Sequence, residues 1–192
     1  MKTEIEILTD IIKRRRSIFP VSYTSEEVPV ELIAQILESA NYAPTHKLTQ
    51  PWRFMVFRKE GKTKLGQELA RLYKEVTPAT QFLQKKYDSI TEKAEQASCI
   101  IALNLKLHSD KVPEWEELAA LACAVQNMAL TAEALNVGAY WSSPGMLADL
   151  KDYLNLDEQE KCYGLFYMGY HNEPARSAMR QPVADKIKWI ES

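Results

Sequence analysis

Ala43-Pro-Thr-His-Lys-Leu-Thr-Gln-Pro-Trp-Arg-Phe54 decides how the rest of the chain is read. It follows an amphipathic helical pattern and runs into an apolar alternating run ending at Phe57. Pro44 and Pro51 fix φ and remove backbone donors, so a helix cannot continue through it. The stretch is therefore a stiff polar loop closed by Trp52, in the kind of position where binding groups concentrate. Thr45, His46, Lys47, Thr49, Gln50 and Arg53 all offer hydrogen-bonding side chains. A plain helix-to-strand connector and a ligand loop are both open on these residues alone.

Upstream, Leu32, Ile33, Ile36, Leu37 and Ala40 recur at helical spacing, with Pro29 suited to the first turn and Pro44 as the stop. Before them, Ile5, Leu8, Ile11 and Ile12 mark a first helix ending in Lys13-Arg-Arg-Arg-Ser17. Cations there complement the negative helix end, but four in succession repel one another. Two readings stand side by side: dipole compensation, and an anion site. Pro20 to Pro29 is a polar connector.

Downstream, Phe54–Arg58 is predicted as a strand and Lys62–Tyr73 as a helix. Thr77–Gln96 is polar and charged, either one or two helices held by Phe82, Leu83 and Tyr87, or a mobile lid. Ser98–Leu107 predicts a central strand, because its front half is continuously apolar. From Trp115 to Ala132 a helical stripe with apolar flanks predicts a central helix buried all round, at a subunit interface if there is one. Asn136 and Gly138 end it. Ala139–Gly145 is a short extended segment, Leu147–Leu154 a helix, and Cys162–Tyr170 a further strand. The tail is polar but carries Val183, Ile187, Trp189 and Ile190, which calls for docking on this or another chain.

The order is α+β, a small sheet flanked by long helices in a single domain, 1–192. Of the 192 residues 46% are hydrophobic and 26% charged, and the net charge of −2 gives no general field for nucleic acid or membranes. Cys99, Cys123 and Cys162 sit in apolar runs and read as reduced core residues. The acidic start lacks a signal-peptide pattern, and the longest uncharged run, Leu118–Ala132, is too short to span a bilayer. A soluble cytoplasmic protein is expected.

No glycine pattern matches a dinucleotide fold, and Gly61-Lys-Thr-Lys-Leu-Gly66 lacks the Lys-Ser/Thr that a phosphate loop needs. His46, His108 and His171 are too scattered for a metal site. Three loops remain: Arg15-Arg-Ser17, suited to a phosphate; Pro44–Trp52, suited to the edge of a flat heterocycle; and Tyr140–Gly145, with aromatic faces and backbone donors. Trp141 is read as core before stacking platform.

At these residues the chain resembles the flavin-dependent nitroreductase family, closest to its small members. The resemblance rests on Arg15-Arg-Ser17, on Ala43-Pro-Thr-His-x-x-x-Gln-Pro-Trp-Arg-Phe54, on the strand at Ser98, on the Ala-rich helix and on Gly164-x-x-x-x-Gly169. It implies a three-layer sandwich with a mostly antiparallel sheet, and an intertwined homodimer holding FMN between subunits. Arg15 and Ser17 match its phosphate and ribityl contacts, with Arg16 beside them as a further cofactor-binding candidate. Pro44, Thr45, His46 and Gln50 match its ring-edge loop, and Trp141, Ser142 and Ser143 its segment after the central helix. Arg180, ahead of Trp189, matches its C-terminal phosphate arginine, with Arg176 as a substitute. Leu48 stands where many relatives have Asn, and Ser142 where small members have Arg.

The implied activity is ping-pong hydride transfer from NADH or NADPH through FMN to a nitroaromatic, a quinone or a similar small acceptor. The chemistry is borne by the flavin, with no catalytic side chain and no metal assigned. His46 is read as a ring-edge hydrogen-bonding group. The alternatives are a flavin-storing or sensing protein without turnover, a specialised enzyme of the same fold, and a helical interaction module without cofactor.

Overall fold

A computed structural model describes residues 2–191. Its centre is an antiparallel sheet in the order β1-β2-β4-β3, built from β1 (Trp52–Arg58), β2 (Cys99–Lys106), β3 (Gly138–Ser142) and β4 (Glu160–Gly169). Side chains alternate across the sheet. Ile101, Leu103 and Leu105 of β2 face α2 (Val30–Ala40) and α5 (Glu114–Ala134), whereas Ile100 and Ala102 face α3 (Glu60–Val76) and α4 (Gln84–Gln96). Two cores on two faces make the three-layer α+β sandwich that the resemblance implies.

β2 is central and all but its last residue are buried, as its apolar run requires. α1 (Glu4–Arg14) starts with a capping box, in which Thr3 Oγ1 accepts from the Glu6 amide and Glu6 Oε2 accepts from the Thr3 amide at 2.8 Å. Asn136, in the left-handed region at φ 57°, turns the chain out of α5, and the Val137 amide donates to Ala132 O at 2.8 Å.

Several expectations need correction. β1 begins at Trp52 and β4 at Glu160, each two residues early, because their first residues complete ladder pairs with Leu105 and Lys106. Leu147–Leu154 holds only a 3-10 turn, Leu147–Leu150, and Asn155 at φ 47° bends the chain back. In the 77–96 region one helix forms, anchored by the Tyr73–Phe82–Tyr87 ring series, with centroids 5.6 and 6.0 Å apart. The side chain of Leu83 is exposed, and its amide donates to Tyr73 Oη instead.

α5 is not enclosed within one chain. Ala120, Leu121, Ala124, Val125 and Met128 are buried, but Ala119, Ala122 and Cys123 are open and Trp115 is 67% exposed. Cys123 is thus not a core residue of the single chain, unlike Cys99. α1 buries nothing, and its apolar face of Ile5, Leu8 and Ile12 is about half exposed or more. The apolar side chains of the tail do not dock among the described residues: Met179, Val183, Trp189 and Ile190 are all exposed. No helix among the described residues is long and apolar enough to cross a membrane.

Candidate functional site

The basic cluster divides its work. Arg14 pairs with Glu133 at the end of α5, Nε to Oε1 at 3.2 Å. Arg16 is spent on backbone: its guanidinium donates to Lys13 O and Arg15 O at 2.7 Å and to Arg176 O at 3.1 Å. The first two are carbonyls that the end of α1 leaves without internal partners, and the third belongs to the C-terminal tail. Arg15 is half-buried and its guanidinium has no hydrogen bond or ion pair among the described residues. A partly desolvated cation without a partner is the feature an anion relieves.

Ser17 follows, and a parallel bridge to Ala139 fixes it beside β3, with the Ile18 amide donating to Ala139 O at 3.2 Å. Two of the three candidate segments therefore meet on one sheet edge, since β3 continues into Trp141, Ser142 and Ser143. Arg176 donates from Nη2 to Ser17 O at 2.9 Å. Arg180 lies on the exposed tail and reaches only the neighbouring Met179 O. Of the two C-terminal arginines, Arg176 is the one held against Ser17 within the chain.

Trp141 is committed to the fold. Its Nε1 donates to Tyr163 O at 3.0 Å, and its ring lies against Gly164, where an added Cβ would stand 1.8 Å from Nε1. Only the main chain of this residue and the two serines after it are free to meet a ligand.

The third segment is elsewhere. Pro44 is exposed, and the loop after it folds through a 3-10 turn, His46–Leu48, with Lys47, Leu48 and Gln50 all at positive φ. Such conformations cost non-glycine residues energy and persist where surroundings impose them. Here Thr45 Oγ1 accepts from the Gln50 amide at 3.1 Å and contacts Thr49 Oγ1 at 3.2 Å. Arg53 Nη1 donates to Gln50 O at 3.0 Å. His46 Nδ1 meets Glu116 Oε2 at 2.5 Å, and Lys47 Nζ donates to Lys111 O at 2.8 Å. Leu48 is 80% exposed.

Glu116, Glu117 and Lys111 were not anticipated as loop anchors. Glu117 is buried and takes both the amide and Nδ1 of His108 at 2.8 Å, fixing the connector ahead of α5. The acidic first turn of α5 was the visible signal, since carboxylates gather at helix N-termini.

These anchors set a distance. His46 is tied to Glu116 and Arg14 to Glu133, 17 residues apart on α5, which is about 26 Å at 1.5 Å per residue. The loop also borders β1, and Ser17 borders β3, the opposite sheet edge, about 14 Å away at ~4.8 Å per strand. A single chain brings Arg15–Ser17 and Trp141–Ser143 together and leaves Pro44–Gln50 at the far end.

The sequence model of the nitroreductase family matches residues 12–170. YfhC of Bacillus subtilis, provisionally named an NAD(P)H nitroreductase, is 28% identical over 184 residues, covering 94% of this chain and 93% of its own. The crystal structure of a nitroreductase-like family protein from Bacillus cereus superposes with a TM-score of 0.83 at 22% identity, covering 100% of this chain and 98% of its own. A provisionally named nitroreductase from Desulfovibrio desulfuricans, solved in complex with FMN, gives 0.75 at 26% identity over 100% and 99% of the two chains. The architecture, the ordered motifs and a match across most of the length agree, and the chain belongs to the nitroreductase family.

Proposed function

We propose that this chain is an FMN-dependent NAD(P)H oxidoreductase, acting as a homodimer on a nitroaromatic, a quinone or a similar small acceptor. The observation that carries the reading is the half-buried, unpartnered Arg15 beside Ser17, bridged onto the strand that leads to Ser142 and Ser143. That donor set suits a phosphate and its polyol chain: a guanidinium for the dianion, hydroxyls and main-chain amides for the rest.

The distance along α5 supports two chains. A flavin mononucleotide is too short to span from Arg15 to His46 within one subunit, so a site using both draws on a second copy. The open faces of α1 and α5 support the same assembly, since apolar stripes of this kind are seldom left in water. A second copy is also a natural surface for Val183, Trp189 and Ile190 of the tail.

When bound, FMN supplies hydride uptake from NAD(P)H and hydride delivery to an acceptor. The protein's share is placement. Arg15 holds the anionic end, and Arg16 keeps the preceding helix end closed so that Arg15 and Ser17 stay in register. His46, with Nδ1 engaged by Glu116, presents its other ring nitrogen to the ring edge. Gln50 and Thr45 extend that polar rim from a loop whose strained backbone is fixed by its own hydrogen bonds.

The test is the visible spectrum of the purified or FMN-reconstituted dimer before and after NADH or NADPH without oxygen. Flavin absorbance that bleaches, then returns on adding a nitroaromatic or quinone, is expected. Bound flavin that neither nucleotide bleaches favours a storage or sensing role, and a colourless protein that binds no FMN refutes the proposal.

A further inference from the structure

A cavity of about 160 Å³ lies between α4 and the β3–β4 edge of the sheet. Lys86, Ser89 and Lys93 of α4 overhang it, and Tyr140, Ser142 and Tyr167 line the other side. Positions 86, 89 and 93 share one helix face. Its floor is aromatic, with the rings of Tyr140 and Tyr167 stacked at 5.1 Å and 23°. The volume suits one benzene-sized ring, as cavities of ~150 Å³ do.

The charge lining the cavity is of one sign. In a chain of net charge −2, two lysines line it and no carboxylate does. The acids of α4 point elsewhere: Asp88 accepts from Gln84 Nε2 at 2.8 Å, and neither Glu92 nor Glu95 reaches the lining. Lys93 has no salt bridge among the described residues, and Lys86 is steadied by the Tyr73 ring, 4.7 Å from its centroid. Burial raises the hydroxyl pKa values of Tyr140 and Tyr167, which therefore stay neutral donors near pH 7.

We propose that this cavity is a binding site for a small aromatic molecule carrying a carboxylate or similar anionic group, its ring on the tyrosine floor and its charge between Lys86 and Lys93. Ser142 belongs both to this cavity and to the segment proposed to meet the flavin, so the occupant would lie beside the coenzyme as its acceptor. Only the word acceptor rests on the proposed function; the binding does not.

The test compares 4-nitrobenzoate with its neutral analogue 4-nitrobenzamide, by calorimetry or ligand-observed NMR on the intact protein at low salt. The wild type should bind the anion at least about tenfold more tightly. The Lys86→Gln/Lys93→Gln double variant should bind the two within about threefold, with the amide unchanged and the fold unaltered, since both lysines are exposed. Equal affinities in the wild type overturn the site. So does a preference that survives the double substitution, or a loss of FMN binding with the preference unmoved, which would put the lysines on the coenzyme. A preference that holds in protein that NAD(P)H cannot reduce sustains the site while removing the redox reading.

Discussion

Replacing Gly164 with alanine should damage both stability and the coenzyme segment. The new Cβ would stand 1.8 Å from Trp141 Nε1, 2.5 Å from Cδ1 and 2.9 Å from Ser142 O. The indole must retreat by roughly 2 Å to reach an ordinary contact of ~3.5 Å. That movement breaks its bond to Tyr163 O, worth about 1 kcal/mol, and forces it into a packed core at about 1–3 kcal/mol. A total loss near 2–4 kcal/mol is expected in urea unfolding followed by tryptophan fluorescence. Because Ser142 must shift as well, FMN should bind at least about tenfold more weakly, or about 1.4 kcal/mol. Gly145→Ala is the control for stability, since its added Cβ meets nothing within 4 Å. A Gly164→Ala protein within about 0.5 kcal/mol of the wild type, with unchanged FMN affinity, would refute the link between Trp141 and the site.

Arg15→Ala should weaken FMN binding by about 1.5–3 kcal/mol in calorimetric titration with little effect on unfolding, whereas Arg16→Ala should lower stability first. The reverse pattern would exchange their roles. Leu8→Glu puts a charge on the open face of α1 and should convert the proposed dimer to a monomer in light scattering, with loss of bound flavin; an intact dimer would move the interface elsewhere. Cys99, whose thiol burial pushes up to about 12, should resist thiol reagents at pH 8 in native protein. Cys123 should react rapidly only in the Leu8→Glu variant, where no second copy covers α5, and fast labelling in the wild-type dimer would show that this face is free.

How much of this was legible in the sequence depends on where each residue finds its partners. The β2 run and the α2 stripe could be read because their burial is set by their own chain, and periodicity reports that directly. Trp141 could be read as core but not as the reason for Gly164, because that contact joins neighbouring strands and leaves no local pattern. The division among Arg14, Arg16 and Arg15 was equally hidden. Four adjacent cations look alike until the C-terminal end of α5 takes Arg14 and Arg176 O takes Arg16, leaving Lys13 exposed and Arg15 half-buried. Leu147–Leu154 misled for the opposite reason: its apolar spacing was real, but Asn155 and the short reach to β4 allowed only a turn.

The largest mismatch is the one the proposed homodimer would account for. α5 reads as apolar all round, α1 as amphipathic and the tail as needing a dock, yet each leaves apolar surface open in one chain. Three independent segments would have to be wrong in the same direction for the monomer to be the functional unit. The polar site is incomplete in the same sense, with Pro44–Gln50 about 26 Å from Arg14 along the helix that carries both anchors. A second copy that covers the open faces also allows its loop to approach Arg15, so the apolar excess and the divided site call for one assembly. Breaking that assembly should release the flavin while the subunit stays folded; a monomer that keeps its FMN would separate the two observations and refute a shared assembly.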